Sequence, residues 1–396
     1  MNEKNMTGRF IIYAASVSPV GTMGGNSKIA IEMVKHLTLL GSKVVVIVPK
    51  SKKATFTNNI GNELPVEYVE IDDFIGNELR RPIKSTTHFT KELLRVFDDL
   101  KVVQGDTVYA CCNFHHDILP IALARRRFKF FYIATHYLFS AFIVENLLRG
   151  YRFPAMKYLC VWLYERTLFI FNRLIADAFV ITNDSDRGHF SKTWQSKVFA
   201  FYGGVNVEQI PTEKMSKTRD VIFCSRLHPQ KGVEGLLDIW AMVIAKRPLS
   251  KLTIIGNGAP EYEHRLKDKA RKLGVNDSIE WLGYVNNKEK YRIYVSAKVF
   301  AHATVFDNNG MVAAEALCSG LPVVMYDLPA LRDVYHAGCL KVACYDKNAY
   351  AETLLKILNN IKLDSVDTEV LELRKKWDWA YRVDIFRSWL TQFVNF

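Results

Sequence analysis

Short apolar runs alternate with stretches of helical periodicity along the whole chain. FIIYAAS (10–16) and VVVIVP (44–49) are apolar at nearly every position, so each reads as a strand covered on both faces. Between them, SKIAIEMVKHLTLL (27–40) has apolar residues at 29, 33, 34, 37 and 40, the spacing of an amphipathic helix. Asn26 or Ser27 can cap its start and Gly41 its end. VEYVEI (66–71), TVYACC (107–112), FFYIAT (130–135), AFVIT (178–182) and VFAFY (198–202) continue the first series of strands. A second series comprises VIFCS (221–225), LTIIG (252–256), IEWLG (279–283), KVFAHA (298–303) and PVVMY (322–326), separated by helical segments such as VEGLLDIWAMVIAK and APEYEHRLKDKARKLG. This α/β alternation predicts parallel sheets with helices on both faces.

The stretch NVEQIPTEKMSKTRD (206–220) is polar and aperiodic, and reads as a linker. The chain thus divides into two Rossmann-like halves, 1–205 and 206–377. The closing stretch WDWAYRVDIFRSWLTQFVNF has helical spacing and too many aromatic residues for a free tail; residues 378–396 are expected to pack across both halves.

Composition narrows the class. With 396 residues, 49% hydrophobic and 24% charged, the chain is globular and long enough for two cores. The polar start MNEKNMTGRF is read as lacking a signal peptide, and the seven cysteines have no zinc spacing. Both point to a cytoplasmic protein with reduced thiols. The net charge of +12 favours anionic partners, yet there is no basic tail and no recognisable nucleic-acid module, so nucleic acid is set aside. Cations concentrate between Arg149 and Arg173. The region 138–176 is aromatic and basic but broken by charges before it could span a bilayer. It reads either as amphipathic packing helices or as a surface touching a membrane or a lipid-linked acceptor.

In open α/β sheets ligands bind beyond the carboxyl ends of the strands, so residues just after strands are the candidates. After the first strand, GTMGGN (21–26) offers Gly24 and Gly25 for close backbone approach at a helix start. It lacks the GxGxxG spacing, and no acid ends the second strand, which argues against a dinucleotide oxidoreductase. His136 in THY (135–137), and His115 and His116 in NFHHD (113–117), also follow strands. In SRLHPQKG (225–232), Arg226 supplies a planar fork and Lys231 a compact charge. Together they suit a diphosphate, although a solvated basic loop has the same composition. In FDNNGMVAAEALCSGLPVV (306–324) a helix beginning near Gly310 leaves the amides of Asn309, Gly310, Met311 and Val312 without helical acceptors. Glu315 then lies about 7.5 Å along the helix, flanked by small apolar residues, where its carboxylate can accept from a vicinal diol. Asp307, beside Asn308, stays on the loop, free to reach a sugar hydroxyl.

SRLHPQKG, LTIIGNG (252–258), WLGYV (281–285) and FDNNGMVAAEALCSGLPVV, in that order, resemble the C-terminal half of retaining GT-B glycosyltransferases of family 4. GTMGGN, THY, ADAFVIT and YGGVN resemble the N-terminal half more loosely, and WDWAYRV resembles the crossover helix. The resemblance implies two Rossmann-like domains facing across a cleft and a nucleotide-sugar donor, with no metal and no further cofactor. Arg226 and Lys231 would bind the diphosphate and Glu315 the ribose. Asp307 and the amides of residues 308–312 would hold the donor sugar, with His136 near the reacting carbon. Gly24 and Gly25 would line the phosphate and acceptor side. Transfer would retain configuration by front-face displacement. GDP-mannose is favoured over a UDP-hexose, and the acceptor would be a glycan or lipid-linked saccharide, with peripheral membrane contact. The family's usual first acid is Glu followed by Phe-Gly; here it is Asp307 followed by Asn308-Asn309. A sugar-phosphate synthase or phosphorylase and a non-catalytic nucleotide-sugar module remain as alternatives.

Overall fold

A computed structural model describes residues 8–20, 23–61, 63–137, 139, 155–213, 215–332, 334–359 and 370–394. The chain divides into two compact units. One comprises residues 1–202 with 382–396, the other residues 203–381.

The first unit is a seven-stranded parallel sheet. Its strands are β1 (Phe10–Tyr13), β2 (Val44–Pro49), β3 (Glu67–Ile71), β4 (Thr107–Ala110), β5 (Phe131–His136), β6 (Ala178–Ile181) and β7 (Val198–Ala200), in the order β3-β2-β1-β4-β5-β6-β7. Residues 10–13 pair with 44–47 on one side and 107–110 on the other. β1, β2 and β4 are buried at every position, because helices cover both faces, while the edge strand β3 exposes both its glutamates. The helix Pro82–Asp99 opens with proline in its first turn and buries Ser85, Phe89, Leu93, Val96 and Phe97, a single stripe on the core. β1 ends earlier than the run FIIYAAS suggests: after Tyr13 the chain turns, so that Ser16 lies beyond the strand's carboxyl end.

The second unit is a six-stranded parallel sheet of β8 (Arg219–Cys224), β9 (Leu252–Ile255), β10 (Ile279–Gly283), β11 (Ala297–His302), β12 (Val323–Tyr326) and β13 (Cys339–Val342), in the order β10-β9-β8-β11-β12-β13. β13 is only partly buried, and its mixed sequence CLKV gives no strand signal. The stretch 206–220 is not a free linker. Val205 donates to the Trp377 carbonyl, Ile210 is buried, the Lys217 ammonium bonds the Val295 carbonyl, and β8 begins at Arg219.

The last helix, Trp379–Leu390, carries the chain back to the first unit, to which residues 382–396 belong. Phe386 is fully buried there, with its ring against Phe10, Phe199 and Phe201, and the Trp389 indole donates to the Ser196 carbonyl. This packing explains the aromatic density of the C-terminus. Replacing Phe386 with alanine is expected to destabilise the first unit by about 3–5 kcal/mol, read as a lower denaturant midpoint at unchanged slope.

Candidate functional site

Each sheet reverses its strand order once, between β1 and β4 in the first unit and between β8 and β11 in the second. Such reversal points open a crevice at the strands' carboxyl ends. The loops after β8 and β11 carry the second unit's candidates; in the first unit Gly24, Gly25, His115 and His116 follow β1 and β4, while His136 ends the neighbouring β5.

In the second unit, the loops after β8 and β11 are stitched together. Gly232 has φ 71°, and a Cβ there would stand 1.9 Å from the Ala303 carbonyl oxygen, so only glycine lets the two backbones meet. The Gln230 side chain donates to the Phe306 carbonyl (2.7 Å), and the Val305 amide to the Gln230 carbonyl (3.1 Å). That closeness brings the Lys231 ammonium to 2.7 Å from Asp307 Oδ2. Arg226, on the same loop, is exposed and forms no ion pair among the described residues.

Asp307 is not free. Its Oδ1 accepts from the amides of Asn308, Asn309 and Gly310, at 2.9, 3.3 and 3.2 Å, while Oδ2 holds Lys231. The expectation of a loop carboxylate reaching outward, with the Asn309 and Gly310 amides open to a ligand, is therefore corrected. An aspartate at this offset folds back on its own backbone, as short acids do in turns. Gly310 takes φ 62° at the start of the helix Met311–Cys318, and the amides of Met311 and Val312 remain in its first turn without helical acceptors. Behind the loop the Tyr335 hydroxyl lies 2.8 and 2.9 Å from the carbonyls of Asn309 and Gly310, and its ring stacks on Trp377. Burial would raise the Asp307 carboxyl, but the Lys231 charge, His302 and the loop amides together hold it well below the usual carboxylate range.

Glu315 lies on the following helix with Oε1 2.8 Å from the Lys290 ammonium. Its Oε2 is buried and has no hydrogen-bond partner among the described residues. Burial works against the Lys290 charge, but Glu315 more than offsets it and holds the ammonium protonated. Lys290, from the helix Asn287–Val295, is a site residue that periodicity does not reveal: in NKEKYRIYV it looks like one solvated charge among several. His302 closes β11, 1% exposed, with Nε2 3.8 Å from Asp307 Oδ2 and no hydrogen bond to either ring nitrogen among the described residues. Burial pushes its pKa down to about 4.

In the first unit, Gly24 caps the helix Gly25–Leu39 through its backbone alone, and its amide donates to Ser18 Oγ. Neither Asn26 nor Ser27 caps that helix as expected: Ser27 Oγ accepts the Ser18 amide, and the Asn26 side chain contacts Cys112 Sγ. His136, 1% exposed, ends β5. Its Nε2 lies 3.2 Å from Glu165 Oε1 and its Nδ1 3.4 Å from Asn113 Nδ2, and the Phe139 ring covers it at 4.0 Å. Burial lowers its pKa and Glu165 works in the other direction, with a net lowering. The His136 ring is thus held between protein partners. Glu165, the acid inside an aromatic run, carries the signal that was available.

His115 and His116 separate. His115 bonds Ser85 Oγ and the Tyr164 hydroxyl, a structural environment. His116, between the rings of Phe89 and Phe114, has Nε2 2.6 Å from Ser16 Oγ, and that hydroxyl donates to the fully buried Asp117. Burial raises the Asp117 carboxyl to about 6 and lowers His116 to about 4. The Asp117 contribution is not legible in sequence, because it comes from burial against Ser16, 101 residues away. Part of the region 138–176 set aside for membrane contact, residues 138 and 140–154, lies outside the described residues, as do Gly21 and Thr22 of GTMGGN. Among the described residues no helix is long and apolar enough to cross a membrane, and no group of three or more His, Cys, Asp or Glu side chains could hold a metal ion.

The family model described as glycosyl transferases group 1 matches residues 206–377. An uncharacterized glycosyltransferase of Methanocaldococcus jannaschii is 30% identical over 188 residues, 47% of this chain and 45% of that one. A phosphatidyl-myo-inositol mannosyltransferase of Mycobacterium leprae is 30% identical over 189 residues, 45% of this chain and 49% of that one. The chain thus spans about half the length of these relatives. Among solved structures, Anabaena HepE in complex with UDP and glucose superposes with a TM-score of 0.71 over 97% of this chain and 99% of that one, at 15% identity. That likeness establishes the two-domain GT-B fold.

The neutral, buried His302 has a consequence for stability. Between about 4 and the ordinary histidine value of 6.5, the unfolded chain binds the proton and the folded one does not. Acidification through that window is therefore expected to destabilise the second unit, by up to about 3 kcal/mol, and His302→Gln should flatten the dependence of its melting temperature on pH.

Proposed function

We propose, taking as premise that this chain belongs to the group 1 glycosyltransferases (glycosyltransferase family 4), that it is a retaining hexosyltransferase of class EC 2.4 drawing on a nucleotide sugar. The observation that carries this reading is one reversal point holding three kinds of group. They are an exposed Arg226 beside a Lys231 anchored by Asp307, the unaccepted amides of Met311 and Val312, and a Glu315 carboxylate with one oxygen still open. A nucleoside diphosphate sugar needs this combination: cations for the diphosphate, amides for oxygens at a helix start, and an acceptor for the ribose diol.

In this reading Arg226 and Lys231 bind the diphosphate and stabilise the charge that grows on it as the bond to the sugar breaks. Asp307 is a positioning residue: it folds the Asn308–Gly310 loop and sets Lys231, while that loop and the following amides cradle the sugar. Glu315 offers Oε2 to the ribose with Lys290 fixing its orientation. Transfer proceeds on one face of the sugar. The anomeric carbon–diphosphate bond breaks, the acceptor oxygen bonds to that carbon, and the acceptor proton passes to the departing diphosphate. The cations and helix amides do the work a metal does elsewhere, so none is required. In the first unit, Gly24 and Gly25 line the ligand side of the β1–β4 reversal point. His116, through Ser16 and Asp117, belongs to the acceptor side there, and His136 is poised by Glu165 near the sugar.

The finer identity of the donor is a hexose nucleotide, with GDP-mannose favoured. A mannosyltransferase among the relatives supports mannose, whereas the HepE complex with UDP supports a uridine donor. The acceptor is a glycan or a lipid-linked saccharide, reached in peripheral contact with a membrane, and the protein acts on the cytoplasmic side.

Thermal shift against GDP-mannose, UDP-glucose and NAD decides between donors. Stabilisation by one nucleotide sugar is expected, and stabilisation by NAD alone would sink the reading. Lys231→Ala should lower kcat by at least about 100-fold with an unchanged circular-dichroism spectrum; near-native turnover removes the diphosphate role. Glu315→Gln keeps the shape and a bond to Lys290, and should weaken donor binding by about 10–100-fold in calorimetry.

A further inference from the structure

We propose that the outward face of the helix Ala155–Ile175 docks the protein on an anionic lipid surface. The sequence AMKYLCVWLYERTLFIFNRLI fixes which face is outward. Glu165 turns inward to His136, Asn172 to the Tyr132 hydroxyl, and Phe169 packs in the core beside Phe179 and Phe190. The opposite arc carries Cys160, Leu163, Thr167, Ile170 and Leu174, spaced three and four residues apart and so aligned along the helix for about 21 Å. All five are exposed; Leu163, Ile170 and Leu174 are 49%, 53% and 77% exposed. Thr167 returns its hydroxyl to the Leu163 carbonyl and presents only its methyl group. An apolar stripe of this length facing water requires an occupant.

The charge around the stripe says which occupant. No charged residue stands on the arc, and helical spacing puts Arg166 and Arg173 at one edge. The C-terminal end of the helix meets a second cationic group: Arg125 donates to the Ile175 carbonyl and pairs with Asp177. Beside it, Arg126, Arg127 and Lys129 are exposed. Arg127 pairs with Asp98, while Arg126 and Lys129 form no ion pair among the described residues. An apolar face whose rim carries an excess of cations, Arg126 and Lys129 beyond the paired Arg125 and Arg127, complements acyl chains beneath anionic headgroups. Two copies packed side by side in parallel along the same stripe would bring their Arg125–Lys129 clusters together, which disfavours that self-association. The inference deepens the membrane-side part of the functional reading and rests on it. Donor binding by the second unit is measured separately, so the two fail independently.

The test is flotation of the purified chain with phosphatidylcholine vesicles, with and without phosphatidylglycerol. The expected result is binding only when phosphatidylglycerol is present, weakened by salt. The double variant Ile170→Glu/Leu174→Glu should reduce binding at least about tenfold, and Arg126→Glu/Lys129→Glu, which leaves the stripe intact, should do the same. Both variants should keep the wild-type thermal shift with the nucleotide sugar, which shows that they are folded. Three results overturn the proposal: no flotation of the wild type on phosphatidylglycerol vesicles; undiminished flotation of both variants; or sedimentation showing a dimer that Ile170→Glu/Leu174→Glu dissolves, which makes the stripe a contact between copies.

Discussion

Everything at the β8–β11 reversal point depends on keeping the largely buried Asp307 ionised. A carboxylate so far removed from water is costly unless each lone pair finds a donor. Three loop amides and one ammonium supply them. The arrangement has two effects at once. It folds the Asn308–Gly310 loop into a fixed shape, and it fixes the Lys231 ammonium beside that loop. Gly232 and Gly310 are the backbone conditions for that geometry: one lets the two loops touch, the other turns the chain into the helix. His302 stays neutral beside the pair, so it adds no second charge for the carboxylate to balance at neutral pH.

The two units apply the same topological device to different chemistry. In the second, the reversal point is rich in cations and free amides. In the first it holds a hydroxyl-linked cluster of Ser16, His116 and Asp117, in which burial shifts both titratable groups toward their uncharged forms.

Much of this was legible from sequence, for physical reasons that can be named. Central parallel strands such as VVVIVP are buried on both faces and so are apolar at every position. β13, half-covered at an edge, reads only as CLKV. The positions of Arg226, Lys231 and Glu315 were legible because each sits just beyond a strand or on a small-residue helix. Lys290 was not, since its meaning comes from a contact with Glu315, 25 residues away, and a lysine on an amphipathic helix is ordinarily solvated. The role of Asp307 was misread because residue type alone does not say whether a short acid points outward or back at its own amides. His136 was located correctly at a strand end, but its orientation is set by Glu165 on a helix remote in sequence.

The thiols offer a practical handle. Of the seven cysteines, Cys111, Cys112, Cys224 and Cys318 are buried, Cys339 and Cys344 are partly covered, and Cys160 is exposed on the apolar stripe. Burial holds the Cys111, Cys112, Cys224 and Cys339 thiols protonated and slow to react, whereas Cys160 lies open to reagents on the surface. The native chain therefore carries its own attachment point for an environment-sensitive dye, on the helix face whose surroundings matter most.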